Sequence, residues 1–331
     1  MANNSQESKN SQESSSKAYQ NSASFVPKLA TKVLKWLDVR RGDVILDVGC
    51  GDGVLAVQIA LQIVVGVGGG GGGERGLVGD EGVDGVGGVR RMGRVHGIDA
   101  SRDMIAAARE AARAAGLEGN VCGFDVLDAS QLSTLPPATY TKIFSNAAMH
   151  WILGSASTRA SFFADVKRLL KPGGVFVFEM GGRGNIAEMR TALLGVVGRR
   201  VGMQRVREVD PWFFPDEGWV RGVFGEEDSG SGSGCENEIE KEGEFEGKGR
   251  WQIEQLESEY RATPVDKGGI EGWVKLMGKQ FFDVLGEGEE RREAEREVCD
   301  VLETVCRSSG GGGGGGDWIG YVRLRGVVRR V

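Results

Sequence analysis

Histidine and cysteine are scarce: two and five in 331 residues. Cys50, Cys122, Cys235, Cys299 and Cys306 form no CxxC pair and no cluster with histidine, so neither a disulfide framework nor a metal site is expected. No apolar run approaches the roughly 20 residues of a membrane span. The opening stretch MANNSQESKNSQESSSKA lacks an apolar secretory region and is too acidic and arginine-poor for an organelle transit peptide. A cytoplasmic location, without membrane contact, is the expectation. An excess of basic charge is also missing. The net charge is −6, and residues 226–249 alone contribute −7 through nine acids and two lysines. The remainder is close to neutral and offers no electrostatic footprint for nucleic acid.

Glycine is present in excess, at 55 residues, but unevenly. Residues 66–93 hold 14 glycines, and Gly310 to Gly316 is an unbroken run. Polyglycine has nothing to bury and a high backbone entropy cost, so 66–93, 226–249 and 308–316 read as flexible insertions. The polar repeat NSQES at 4–8 and 10–14 marks residues 1–18 as a disordered tail. What remains suits one domain over 19–331, with an accessory segment at about 182–225 plus 263–307. A monomer is the expected state.

Between the insertions, short apolar runs alternate with helical patterns. Residues 25–37 carry a helical stripe, VILDVG (44–49) is a buried strand, and 54–65 is an apolar helix. RVHGID (94–99), VCGFDV (121–126), KIFSN (142–146) and VFVFEM (175–180) are further strands, with helices at 101–116 and 157–170 between them. Residues 251–262 and 321–330 alternate, as edge or antiparallel strands do. The pattern predicts an α/β fold: a doubly wound, mainly parallel, Rossmann-like sheet that binds ligands beyond the carboxyl ends of its strands.

The first strand–helix turn, Asp47-Val48-Gly49-Cys50-Gly51-Asp52-Gly53, has GxGxG spacing instead of the dinucleotide GxGxxG. Asp47 and Asp52 would repel a pyrophosphate and welcome a cation. A phosphate-free, positively charged adenosine cofactor meets that requirement, and S-adenosylmethionine is the common one. Asp99 ends the second strand, where a carboxylate can accept from ribose hydroxyls. It stands 46 residues beyond Gly53, and removing the 28-residue insertion leaves 18, close to the ~20 usual for that acid. Asp128, after the third strand, is placed for the adenine amino group, with Met104 and Leu127 as apolar walls. Taken singly, each of these residues reads as a turn or cap; in order at successive strand ends they read as one cofactor site.

The chain resembles class I S-adenosylmethionine-dependent methyltransferases of the type 11 group, and within it trans-aconitate methyltransferase and related small-molecule enzymes. The resemblance rests on YQNSASFVPKL (19–29), VILDVGCGDG (44–53), VHGIDAS (95–101), IFSNAAMHWI (143–152), LLKPGGVFVFEM (169–180) and GGIEGWVKLMGKQFFDVL (268–285). It implies that Asp47 and Gly49, with Cys50 and Gly51, serve the methionyl part of the cofactor. Asp99 with Ala100 would serve the ribose, Asp128 with Ala129 the adenine, and Asn146 would lie beside the sulfonium. The 19–25 segment, Tyr19 included, would fold over as a lid.

Acceptor residues are less defined. His150 and Trp151 follow the fourth strand on the site's side, with His150 a base, a hydrogen-bonding group or neither. His96, inside a strand, reads as structural. Trp212, Phe213 and Phe214 read either as local core or as a pocket wall, and Arg183 as solvated or as a clamp for an acceptor carboxylate. With no clear base, the expected function is O-methylation of a small carboxylic acid. Methylation of protein or RNA through Arg199, Arg200, Arg205 and Arg207, and a non-catalytic cofactor-binding scaffold, are the alternatives.

Overall fold

A computed structural model describes residues 30–66, 93–119, 121–225, 251–265, 268–307 and 316–331. Tyr19, the 1–18 tail, the 19–25 segment and nearly all of the three insertions lie outside these residues.

The first described elements alternate as the sequence pattern requires: α1 (Thr31–Leu37), β1 (Val44–Val48), α2 (Val54–Val65), β2 (Arg94–Asp99), α3 (Arg102–Ala114) and β3 (Cys122–Val126). A 3₁₀ turn (Ala129–Thr134) leads into β4 (Tyr140–Asn146), the one-turn α4 (Met149–Ile152), α5 (Ala156–Leu169) and β5 (Leu170–Gly181). Six accessory helices follow among the described residues: α6 (Ala187–Val201), α7 (Met203–Glu208), α8 (Glu217–Phe224), α9 (Gly269–Met277), α10 (Lys279–Asp283) and α11 (Glu289–Cys306). Between α8 and α9 runs β6 (Trp251–Pro264), and β7 (Trp318–Arg330) comes last.

The seven strands form one sheet in the order β3-β2-β1-β4-β5-β7-β6. The first five are parallel, and β7 lies antiparallel between β5 and β6. This is the doubly wound, mainly parallel sheet that the sequence predicts. β5 begins earlier than its apolar run because Leu170 already pairs with Tyr140. The Lys171–Gly174 stretch then bulges, with Gly173 at φ +75°, before Val175 rejoins Lys142. β7 likewise starts at Trp318, three residues before the alternating pattern becomes visible.

Each face of the sheet buries its own core. Ile45, Phe144 and Val177 pack against α1, α2 and α3 through Val33, Ile59 and Ala108. Leu46, Phe176 and Phe178 pack on the opposite face against Phe162 and Val166 of α5 and Val220 of α8. A third core joins α6, α9, α10 and α11 to Ile319 and Tyr321 of β7. Each fully buried leucine or phenylalanine here contributes about 1.5–3 kcal/mol. The first insertion leaves α2 at Gly66 and returns at the start of β2, where Arg94 N–H donates to Asp43 O. Both ends therefore sit at the amino edge of the sheet, opposite the turns that follow the strands.

Candidate active site

The turn after β1 is shaped by left-handed glycines. Gly49 (φ +73°) and Cys50 both donate their N–H to Ile98 O of β2, at 2.8 and 3.0 Å. A Cβ on Gly49 would come within 2.3 Å of the Ala148 methyl, so only glycine lets β4's exit pass this close. Ala147 itself is held at φ +56°, with its N–H donating to Glu179 O at 2.8 Å. That is an uncommon conformation for alanine, maintained at the point where β1 and β4 meet. A Cβ on Gly51 would project into open space, leaving its backbone free for close approach by a ligand.

These turns enclose a cleft of about 900 Å³ at the carboxyl edge of the sheet. Its wall brings together Gly49, Cys50, Gly51, Asp99, Ala100, Met104, Asp128, Ala129 and Asn146, nine of the eleven positions expected to hold the cofactor. Asp47 lies at the end of β1, only 2% exposed, and Tyr19 is outside the described residues. Asp99 accepts from Gly51 N–H at 3.1 Å and from Ser101 N–H at 2.8 Å, tying the glycine turn to the start of α3. Each oxygen keeps a lone pair for a ligand. Asp128 accepts from Ser130 N–H at 2.8 Å, which is the turn-capping role its sequence context also allowed.

The charges favour a cationic occupant. Burial, aided by the charge of Asp99, pushes the Asp47 carboxyl up to about 7. Burial likewise lifts the Cys50 thiol well above its ordinary range, so it is no nucleophile. Asn146 Oδ1 is buried and makes no hydrogen bond, an acceptor left for a donor entering the cleft. A buried acid with further acids on the wall, an orphaned carbonyl oxygen and an approachable glycine backbone together fit a phosphate-free adenosine cofactor bearing an ammonium and a sulfonium.

Of the acceptor candidates, Trp151 alone lines the cleft, and it also walls a second cavity of about 610 Å³ beside α7 and α10. His150 turns the other way. Its buried ring accepts from Gly181 N–H at 3.3 Å through Nδ1, and burial with the charge of Arg323 lowers its pKa to about 3. It is a neutral structural acceptor. Trp212 packs into the accessory core against Trp151, Phe214 and Phe281. Arg183, 80% exposed at its side chain, pairs with Asp216 at 3.3 Å and does not reach the cleft. His96, as its strand position suggested, bridges Tyr140 Oη and Asp125 at 2.7 and 2.9 Å.

Sequence reasoning missed Leu55, Ala148, Ile152, Ser155 and Thr158 on the cleft wall. Ser155 carried a usable signal, since serine ahead of an apolar-periodic segment marks a helix start. Among the described residues, no group of three or more histidine, cysteine or acidic side chains could hold a metal. No helix among the described residues is long and apolar enough to cross a membrane.

Residues 40–191 match a family model described as a methyltransferase domain. The chain is 30% identical over 320 residues to an uncharacterized methyltransferase of Schizosaccharomyces pombe, covering 96% of this chain and 97% of that one. Among solved structures it is similar to a putative methyltransferase from Bacillus halodurans C-125, at 14% identity and a TM-score of 0.48, covering 90% and 97% of the two chains. It is also similar to geranyl diphosphate C-methyltransferase from Streptomyces coelicolor, in complex with S-adenosyl-L-homocysteine. There the identity is 12% and the TM-score 0.44, over 92% and 80% of the chains.

Proposed function

Because the chain belongs to the class I S-adenosylmethionine-dependent methyltransferases, we propose that it methylates an oxygen of a small carboxylic acid, as its resemblance to trans-aconitate methyltransferase suggests. The observation that carries this reading is that, among the described residues, no histidine or lysine stands on the cleft wall to serve as a base. His150 is buried, bonded through Nδ1 and shifted to about 3, and the ionisable groups on the cleft wall are Cys50, Asp52, Asp99 and Asp128. A phenol or a carbon acid would need a group to take its proton. A carboxylic acid with a pKa near 4 is already the nucleophile at neutral pH.

The cofactor supplies a methyl group on a sulfonium. The chain supplies alignment and a dry cleft, the main requirements of an in-line displacement that disperses charge. Asp47 and the Gly49–Gly51 turn receive the methionyl end, and Asn146 Oδ1 takes a donor beside the reacting centre. Asp99 holds the ribose hydroxyls, while Asp128 and Ala129, between Met104 and Leu127, hold the adenine. Trp151 and Ile152 close the apolar side.

Replacing Asp99 with alanine removes a charged acceptor and releases the Gly51 and Ser101 N–H groups. Calorimetry should show cofactor affinity weakened by about 1–3 kcal/mol; unchanged affinity would remove Asp99 from the site. The acceptor class is tested by incubating the protein with methyl-labelled cofactor and a panel of small acids, trans-aconitate among them. The label should enter a product that mild alkali cleaves to methanol. Label that resists alkali would sink the ester reading. Docking on RNA or protein through the arginine cluster finds less support, because Arg200 is paired with Glu297 at 2.9 Å and Arg205 with Glu208 at 3.1 Å.

A further inference from the structure

β6 is the last strand of the sheet, paired with β7 along one side and, among the described residues, with no strand along the other. At 14 residues it is long for an edge, and its unpaired N–H and C=O groups are a template for another chain. One end is blunted: the register against β7 shifts between Ile253 and Gln255, which bends the strand there. From Gln255 to Pro264 the ladder is unbroken, and proline then ends it. This second half is also uncovered. Successive residues of a strand point to opposite faces, yet Ser258, Glu259, Tyr260, Arg261 and Ala262 are all exposed, Tyr260 by 60%. Neither layer of helices closes over them, so a second edge has room to lie alongside.

The side chains decide which chain fits. Glu257, Glu259 and Arg261 share one face of the strand. Both acids are bonded to Arg325, at 2.9 and 2.5 Å, and Glu259 still has 47% of its side chain exposed. Arg261, the strand's one basic residue, is exposed and makes no ion pair among the described residues. Two copies of this edge can pair antiparallel about a twofold axis perpendicular to the sheet, which keeps each face on its own side. With the axis through Tyr260, Glu259 lies opposite Arg261 of the second copy, Arg261 lies opposite its Glu259, and the two Tyr260 rings are neighbours. An axis through Ser258 would oppose Glu257 to Glu259, and one through Glu259 or Arg261 would oppose that residue to itself. Like charges directly opposite are destabilising, so charge selects the register about Tyr260.

We propose that the Gln255–Pro264 edge of β6 receives a second copy of this chain, antiparallel about Tyr260, joining two seven-stranded sheets into one. The protein then forms a twofold dimer in place of the monomer that its sequence suggested. An edge of this length makes a small interface, so the dimer is in concentration-dependent exchange with its monomer.

Sedimentation of the full chain at rising concentration should show that equilibrium. Arg261→Glu sets acid against acid on both sides of the axis and should weaken association at least tenfold, while Arg261→Lys should retain it within threefold. Thermal unfolding of dilute, monomeric protein should agree for the three within about 2 °C, the side chain being exposed, which separates lost association from lost folding. A cross-link reads the register. Residues directly opposite in such a pair have Cα atoms about 4.5–5.5 Å apart, within disulfide reach. Tyr260→Cys, on the axis, should give a disulfide-linked dimer when oxidised with diamide. Gln252→Cys, on the same strand outside the register, should cross-link no more than wild type. A wild type that stays monomeric, equal association by Arg261→Glu, or cross-linking at Tyr260→Cys no greater than at Gln252→Cys overturns the interface.

Discussion

Replacing Arg325 with methionine should destabilise the protein by about 3–5 kcal/mol, the usual cost of removing one member of a buried ion cluster. Arg325 is 1% exposed and its Nε donates to Glu179, which is fully buried. Burial opposes the charge of Arg325, but hydrogen bonds to Glu259 and Glu179 outweigh it and hold its pKa above the ordinary arginine value. Without Arg325, Glu179 would remain as a buried carboxylate whose nearest cation, Arg323 at 3.9 Å, makes no hydrogen bond to it. Glu257 and Glu259 are partly exposed and tolerate the loss, and Glu257 keeps Lys32 at 2.5 Å. Thermal unfolding should drop by about 10 °C at the 2–4 °C per kcal/mol usual for larger domains. Adding Glu179→Leu should recover part of the loss, because an apolar pair fills a buried ion pair's place without stranding a charge. A melting temperature within 2 °C of wild type in the single variant would mean that the cluster contributes little.

The second large effect reverses the ordinary direction for a carboxylate. The Asp47 carboxyl rises from 3.8 in the unfolded chain to about 7 in the fold, so the folded state binds its proton more tightly. Its contribution to stability is therefore complete below pH 4 and is lost as pH rises from about 4 to 7. The loss is limited to 1.4 kcal/mol per pH unit, or up to about 4 kcal/mol in all. Asp47→Asn removes this term, so denaturant unfolding without cofactor should find the variant more stable than wild type at pH 8, by up to that amount, and the difference should shrink towards pH 4. A cationic cofactor favours the ionised form. Wild-type affinity should therefore strengthen between pH 5 and 7, while the variant's should be weaker and flat. Parallel pH profiles for the two proteins would detach Asp47 from the cofactor. The stability lost at neutral pH is what keeping an unpaired acid at the binding turn would cost.

The parts of the site legible in the sequence are those set by local geometry. A strand that ends in GxGxG must turn sharply, and an acid at the end of the next strand faces the same edge, so Asp47, Gly49 and Asp99 needed no tertiary information. The 28-residue insertion between Gly53 and Asp99 hid their spacing only until its composition was recognised. Direction of side chains was harder to read. His150 and Trp151 are neighbours, yet one lies against Gly181 and the other against the cleft, because a one-turn helix sends successive residues to different sides. Arg325 and Glu179 could not have been matched at all. Their meeting depends on how β7 registers against β5, which nothing in either segment announces.

That same register has a consequence for how the molecule comes together. Glu179 and Arg325 are 146 residues apart in sequence, and β7 is an interior strand flanked by β5 and β6. During synthesis the five parallel strands can associate early, since all of them precede β6 in the chain. β6 then emerges with no adjacent partner and waits while three further helices are made. Until β7 slots in, both bordering edges remain open to other chains, and closing so long a loop is slow. The half-made enzyme is therefore the form most exposed to aggregation, and the step that rescues it is the one that buries its charged cluster.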